Sequence, residues 1–232
     1  MIRALDLEIP AGGFHAIVGH TGSGKSTLLN LLLKFYRPSG GEIRIDGQPL
    51  EDIGREAMRS GIGLIPQEPF VLAASIRDNI DMGRGLPAAA IERAARQAHL
   101  HRLIESMPQG YDSLLGERGT RLSTGQRQQL IIARALAAAP RILLLDEATA
   151  SVDSETEQVV QQALAELHGE VTMIVVAHRL STIRQADRIL VLSHGECVEA
   201  GCHDELMALP EGLYRSMYRL QQQAHRIEEM AL

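Results

Sequence analysis

A chain of 232 residues, 45 % hydrophobic but only 3 % aromatic and without tryptophan, has the length for one sizeable α/β domain with an aliphatic core, not for two or three. The formal charge of -6 supplies no basic stripe for a phosphate backbone, which argues against nucleic acid as a partner. The longest apolar stretches, 28–33 and 142–145, fall far short of the roughly 20 residues a membrane span requires, and Cys197 and Cys202 form neither a metal spacing nor a disulfide framework.

Taken in chain order, residues 3–9 alternate apolar and polar until PAGG breaks the run, and FHAIVG reads as a short buried strand ending at glycine. Nothing in this start has the charge and apolar core of a secretion signal. A glycine-rich loop follows, then a helix from Ser26 to Tyr36 stopped by Pro38, Gly40 and Gly41. Residues 41–50 read as a strand with a turn at Asp46-Gly47, and 62–67 as a further strand. From about Glu68 to Ala137 the pattern turns helical, with 88–103 and 124–137 as long helices, which predicts an inserted helical lobe. Strand signals resume at 141–146, 171–177 and 188–193, with a helix at 154–167 between the first two and a helical tail from Asp204 to about Arg226. Strands alternating with helices predict an α/β fold around a mixed, mainly parallel, doubly wound sheet.

Gly19 to Ser26 reads GHTGSGKS, the GxxxxGK[ST] phosphate loop in its required context after a strand and before a helix. Backbone N–H groups from Gly19, His20, Thr21, Gly22, Ser23, Gly24, Lys25, Ser26 and Thr27 would surround the phosphates, Lys25 would reach the outer ones, and the Ser26 hydroxyl would ligate Mg²⁺. The apolar strand ILLLDE then carries Asp146 and Glu147 to the carboxyl end of the sheet, where Asp146 would hold Mg²⁺ and Glu147 would polarise the attacking water. For Glu147 taken alone, a helix cap is a rival reading.

The segment Leu122-Ser123-Thr124-Gly125-Gln126, followed by RQQLIIARAL, resembles the signature sequence of ABC transporter ATP-binding domains. Other landmarks of that family come in order: Gln67 in IPQEPF, GERG at 116–119, SerValAsp at 151–153 and His178 in VVAHRLST. The likeness covers essentially the whole chain and is worded as in exporters, closest to bacterial multidrug-resistance-like half-transporters of the B type. It implies a P-loop NTPase core over about 1–67 and 138–218, a helical subdomain over about 68–137 and a C-terminal helix over about 204–226.

The resemblance implies ATP and Mg²⁺ as cofactors and a second, head-to-tail ATP-binding domain whose ATP is capped by Ser123, Gly125 and Gln126. It makes Lys25, Gln67, Glu147 and His178 the catalytic set, with Gln67 joining Ser26 and Asp146 at the metal, and puts Asp153 across the dimer interface. An acidic helix cap explains Asp153 nearly as well. The apolar stretch 69–80 would receive a coupling helix from a transmembrane partner, although Phe70, Val71 and Leu72 also read as plain core. The chain would act at the cytoplasmic side of the bacterial inner membrane, its only membrane contact being through that partner.

An adenine-stacking aromatic belongs in this family on a strand upstream of Met1, which gives the sequence the look of a piece of a longer half-transporter; Phe14 does not take that role. Ser-Thr-Gly replaces the commoner Ser-Gly-Gly of the signature, and His20, His99 and His101 read as solvent-facing. Two other classes compete with a transport ATPase. A soluble ABC ATPase of DNA repair or translation would carry coiled-coil insertions or basic arms, which are absent, and a non-hydrolysing ATP-gated module would replace Glu147 or His178, which are both present.

Overall fold

The computed structural model describes residues 2–3, 5–146, 162–177 and 183–230. Glu147, the 151–153 segment with Asp153, His178 and most of the 154–167 helix lie outside these residues. The chain forms two compact units, Met1–Arg55 with Thr172–Leu232, and Glu56–Val171.

The first unit is built on β1 (Phe14–Val18), with all five residues buried. Parallel neighbours flank it on both sides, β6 (Thr172–Val176) pairing Ala16 with Val175 and β7 (Arg188–Ser193) pairing Ala16 with Ile189. Burial on both faces accounts for the continuous apolar runs of these strands. Outside β7, β8 (Glu196–Gly201) adds an antiparallel edge with a register shift between Val191 and Leu192. Residues 5–10 alternate half-buried and exposed side chains as the sequence predicts, yet form no strand. Just before this segment the Arg3 N–H donates to the Gly195 carbonyl at 2.8 Å.

Helix α1 (Lys25–Leu32) follows the glycine loop and ends four residues before the predicted Tyr36. The 41–50 strand is in fact a minimal hairpin, β2 (Arg44–Ile45) and β3 (Gln48–Pro49), turned by Asp46 and Gly47 with positive φ at both. The tail is two helices, α7 (His203–Ala208) and α8 (Leu213–Met230), separated around Pro210.

Helix α2 (Arg55–Gly61) lies in the second unit from Glu56 on, followed by the parallel pair β4 (Ile62–Ile65) and β5 (Ile142–Asp146), in which Ile65 faces Leu145. Its helical part comprises α3 (Ile76–Asp81), α4 (Ala88–Gln97), α5 (His101–Ser106) and α6 (Thr124–Leu136). Buried Ile76, Ile80, Ile91, Leu130 and Ile131 make its core. The helix predicted over 88–103 breaks at His99, whose φ of 55° is left-handed. The break resets the helical phase and corrects the expectation for His101, which is buried. Its Nδ1 lies 2.8 Å from the Tyr111 hydroxyl, while Nε2 is 3.1 Å from the Glu105 carboxylate without the alignment of a hydrogen bond. His20 and His99 are exposed as expected.

Gly63 lets α6 approach β4: a Cβ there would stand 2.8 Å from the Ala135 carbonyl oxygen and 3.1 Å from the Pro140 ring. Gly63→Ala is expected to destabilise the chain by about 1–3 kcal/mol, the usual range for overpacking, measured as a lowered midpoint in urea unfolding. Burial, chiefly, pushes the Tyr111 phenol up to about 12, and burial with Tyr218 nearby pushes Tyr214 up further. The folded state therefore holds these protons more tightly than the unfolded chain, whose phenols titrate near about 10. The resulting stability is complete below about pH 10 and is lost as pH rises through about 12. Tyr214→Phe is expected to flatten the fall in melting temperature over about pH 9 to 11, whatever it does to the value at neutral pH.

Candidate functional site

In the first unit the buried strand β1 delivers the chain to the loop 19–24, and α1 leaves it. Gly24 is the N-cap of α1 with φ 111°, a left-handed conformation that favours glycine, and no side chain caps the helix. The first turn of α1 carries no acidic residue. The N-terminal N–H groups of α1 and the positive end of its dipole are thus met by neither a capping side chain nor an acid of its first turn, the arrangement that favours an anion. His20, Thr21, Gly22 and Ser26 are exposed, while Ser23, Gly24 and Lys25 are buried, so the loop presents backbone outward over a packed base. At Gly19 an added Cβ would strike the Leu192 carbonyl and come within 2.6 Å of Ser23 Oγ.

Lys25 is 6 % exposed, and its ammonium donates to the carbonyls of Gly19 at 2.8 Å and His20 at 3.1 Å. Ser23 is 4 % exposed, and its hydroxyl has no hydrogen-bond partner in the described structure. A buried orphan hydroxyl, a buried ammonium and an uncapped helix start converge on one loop, which fits the triphosphate that the sequence predicts.

In the second unit Gln67 is exposed two residues beyond the end of β4, and Asp146 is the last residue of β5. Because Ile65 pairs in parallel with Leu145, Gln67 and Asp146 leave the sheet at the same edge. At the signature, Ser123 is the N-cap of α6. Its Oγ accepts from the Gln126 N–H at 3.2 Å, and Gln126 Oε1 accepts from the Ser123 N–H at 2.9 Å, a complete capping box. Ser123 and Thr124 are exposed; the extra Thr124 hydroxyl is taken up by Arg127 Nη2 at 3.0 Å, which adapts the departure from Ser-Gly-Gly.

Sequence reading singles out neither Asn79 nor Arg134, which form a densely bonded polar cluster among the described residues of this unit. Arg134, on α6 and 8 % exposed, donates from Nε to the Asn79 carbonyl at 2.8 Å, from Nη1 to the Phe70 carbonyl at 3.0 Å and from Nη2 to Asn79 Oδ1 at 3.1 Å. Its guanidinium carbon sits 4.5 Å from the centre of the Phe70 ring. Asn79 Oδ1 also accepts from the Leu72 N–H at 2.9 Å, and Nδ2 donates to the carbonyls of Leu72 at 3.1 Å and Ser75 at 2.9 Å. A charged residue inside the apolar run LIIARAL is the signal that could have drawn attention to it.

A phosphate loop between a buried parallel strand and a helix defines the class: a P-loop nucleotide-binding domain of mixed, mainly parallel α/β type. The family described as ABC transporter matches residues 2–150, which run from before the phosphate loop to past the acidic pair. The chain belongs to this family, whose members bind and hydrolyse ATP. It is 45 % identical over 230 residues to ABC transporter B family member 21 of Arabidopsis thaliana, which spans 99 % of this chain and 18 % of that protein. It is 45 % identical over 225 residues to mouse ATP-binding cassette sub-family B member 10, mitochondrial, covering 95 % of this chain and 32 % of the relative. A solved structure titled as a bacterial Atm1-family ABC exporter with ATP bound superimposes with a TM-score of 0.86 at 41 % identity, over 95 % of this chain and 38 % of that one. The chain thus spans roughly a fifth to two fifths of the length of these relatives.

Gly19→Ala is expected to raise the dissociation constant for ATP by about tenfold or more, because the loop must shift to relieve the new contacts. Equilibrium titration with a fluorescent ATP analogue measures it, with circular dichroism as the check on folding.

Proposed function

We propose that this chain is the nucleotide-binding domain of an ABC exporter, hydrolysing ATP in the presence of Mg²⁺ to power movement of a substrate across a membrane. The phosphate loop carries the reading: a buried Ser23 hydroxyl without a partner, a buried Lys25 ammonium held by the loop's own carbonyls and a helix start with no side-chain cap all belong to residues 19–26. The 41 % identity to the exporter named above supports the direction of transport.

In this reading Lys25 and the backbone of residues 19–27 hold the β and γ phosphates, and Ser26, Asp146 and Gln67 hold Mg²⁺. There the ion would supply positive charge to offset what develops on the transferring phosphate. Glu147 accepts a proton from the attacking water, and His178 with Gln67 orients that water against the γ-phosphate. Roles for Glu147 and His178 rest on sequence position, since both lie outside the described residues.

Ser123, Gly125 and Gln126 cap the ATP of a second ATP-binding domain, identical or related, so that two chains complete each site. The exposed edge formed by Phe70 and Leu72, 51 % and 40 % exposed, meets a transmembrane partner, which brings the chain to the cytoplasmic side of the bacterial inner membrane. The measured Mg²⁺-ATPase rate per molecule should rise with protein concentration. In Glu147→Gln it should fall by about 10² to 10⁴, the usual cost of losing a general base. A rate per molecule that stays constant down to high dilution in a verified monomer would refute the two-chain site.

A further inference from the structure

We propose that Arg134, acting with Asn79, is a positioning residue for hydrolysis: it ties the loop that follows Gln67 to the helix that starts at the signature. The proposal rests on the hydrolysis reading above. The geometry behind it lies wholly within Glu56–Val171. The Phe70 carbonyl is three residues beyond Gln67, and Arg134 Nη1 donates to it at 3.0 Å. Arg134 itself sits in the last turn of α6, whose N-cap is Ser123. One guanidinium therefore joins the start of the Gln67 loop to the rigid element that presents the signature.

The loop is held residue by residue. Phe70 offers its carbonyl and its ring face to Arg134. Val71 occupies the space that a Cβ on Gly119 would need, with Cγ1 2.9 Å from that position. Leu72 exchanges both backbone groups with the Asn79 amide. Behind them, Arg84 Nη2 donates to the Arg134 carbonyl at 2.9 Å and to the Ile80 carbonyl at 2.6 Å, fixing the end of α6 on α3. Among the described residues no carboxylate pairs with Arg134; carbonyl dipoles and the Phe70 ring face meet its charge. A core that needed only to be filled would use an aliphatic residue here, since burying a guanidinium is costly unless every donor is directed. Three acceptors reached by one planar fork constrain a backbone in a way that neither a lysine nor an aliphatic side chain does.

A helix ending on this fork and beginning at the signature makes α6 a single rigid lever between the two. Displacing the signature end then shifts the Phe70 carbonyl, and with it the Gln67 backbone, without any contact to nucleotide from Arg134.

The test is a double-mutant cycle between Arg134→Lys and Gln67→Ala, read by steady-state ATPase kinetics and by equilibrium ATP binding. Lysine keeps the charge but lacks the planar fork that holds three acceptors in one fixed geometry. Arg134→Lys is expected to lower kcat by about tenfold to a hundredfold, as a misplaced group does, with ATP affinity changed by less than about twofold. In the Gln67→Ala background the same substitution should change kcat by less than about twofold, because the residue it positions is gone. Should Arg134→Lys fail to fold, Asn79→Asp, of the same shape but lacking the two amide donors to Leu72 and Ser75, carries the same expectation. Wild-type turnover in a folded variant, or losses that multiply with that of Gln67→Ala, would overturn the positioning role; wild-type turnover itself would leave the hydrolysis reading standing in both cases.

Discussion

Anion binding by backbone is the constraint on which the rest of this molecule depends. N–H groups can converge on a phosphate only where no side chain intrudes and where the chain can turn from a sheet into a helix within a few residues. Strand β1 supplies the fixed approach, being buried on both faces between parallel neighbours. Gly24 supplies the turn and leaves α1 without a cap. Lys25 would be costly to bury with its charge unmet. The loop's own carbonyls of Gly19 and His20 meet it, so the buried ammonium is held by the same loop that carries it.

The second unit begins a helix at the signature by the opposite solution. Ser123 and Gln126 satisfy each other's backbone N–H groups, so α6 is stable as it stands. The Ser123 hydroxyl accepts in that box and keeps its proton as a donor, which is the part of the residue that can still meet an oxyanion. One helix start is left open to recruit an anion, and the other is closed so that its hydroxyl can be presented on a rigid support. At the far end of the same helix, Arg134 and Arg84 replace local capping with long-range bonds to α3 and the Phe70 loop.

Features set by local chemistry were readable from sequence. The phosphate loop, the strand end at Asp146 and the start of α6 at Ser123 all depend on residues within a few positions of one another, whereas β4 stops two residues short of the predicted Gln67. The elements misread depend on distant partners or on a single conformational exception. A left-handed His99 splits one alanine-rich helix into two and turns His101 inward, and periodicity carries no mark of such a break. Strand β8 went unread because its exposed positions, Glu196, Val198 and Ala200, and its half-buried ones, Cys197, Glu199 and Gly201, mix polar and apolar residues on both faces, which leaves no alternation to read. The Asn79–Arg134 cluster spans 55 residues of sequence, and nothing local to either residue announces the other.

The edge strand has one more consequence. Helix α8 begins after Gly212 with no serine, threonine, aspartate or asparagine at its entrance and no acid in its first turn. The Glu199 carboxylate of β8 takes that place, its two oxygens accepting the N–H groups of Leu213 and Tyr214. The starting point of the tail helix is therefore inherited from the sheet rather than written in its own sequence. Order in the last stretch of chain follows from closure of an antiparallel pair upstream, and a charge on the sheet's edge becomes the origin from which eighteen residues are counted.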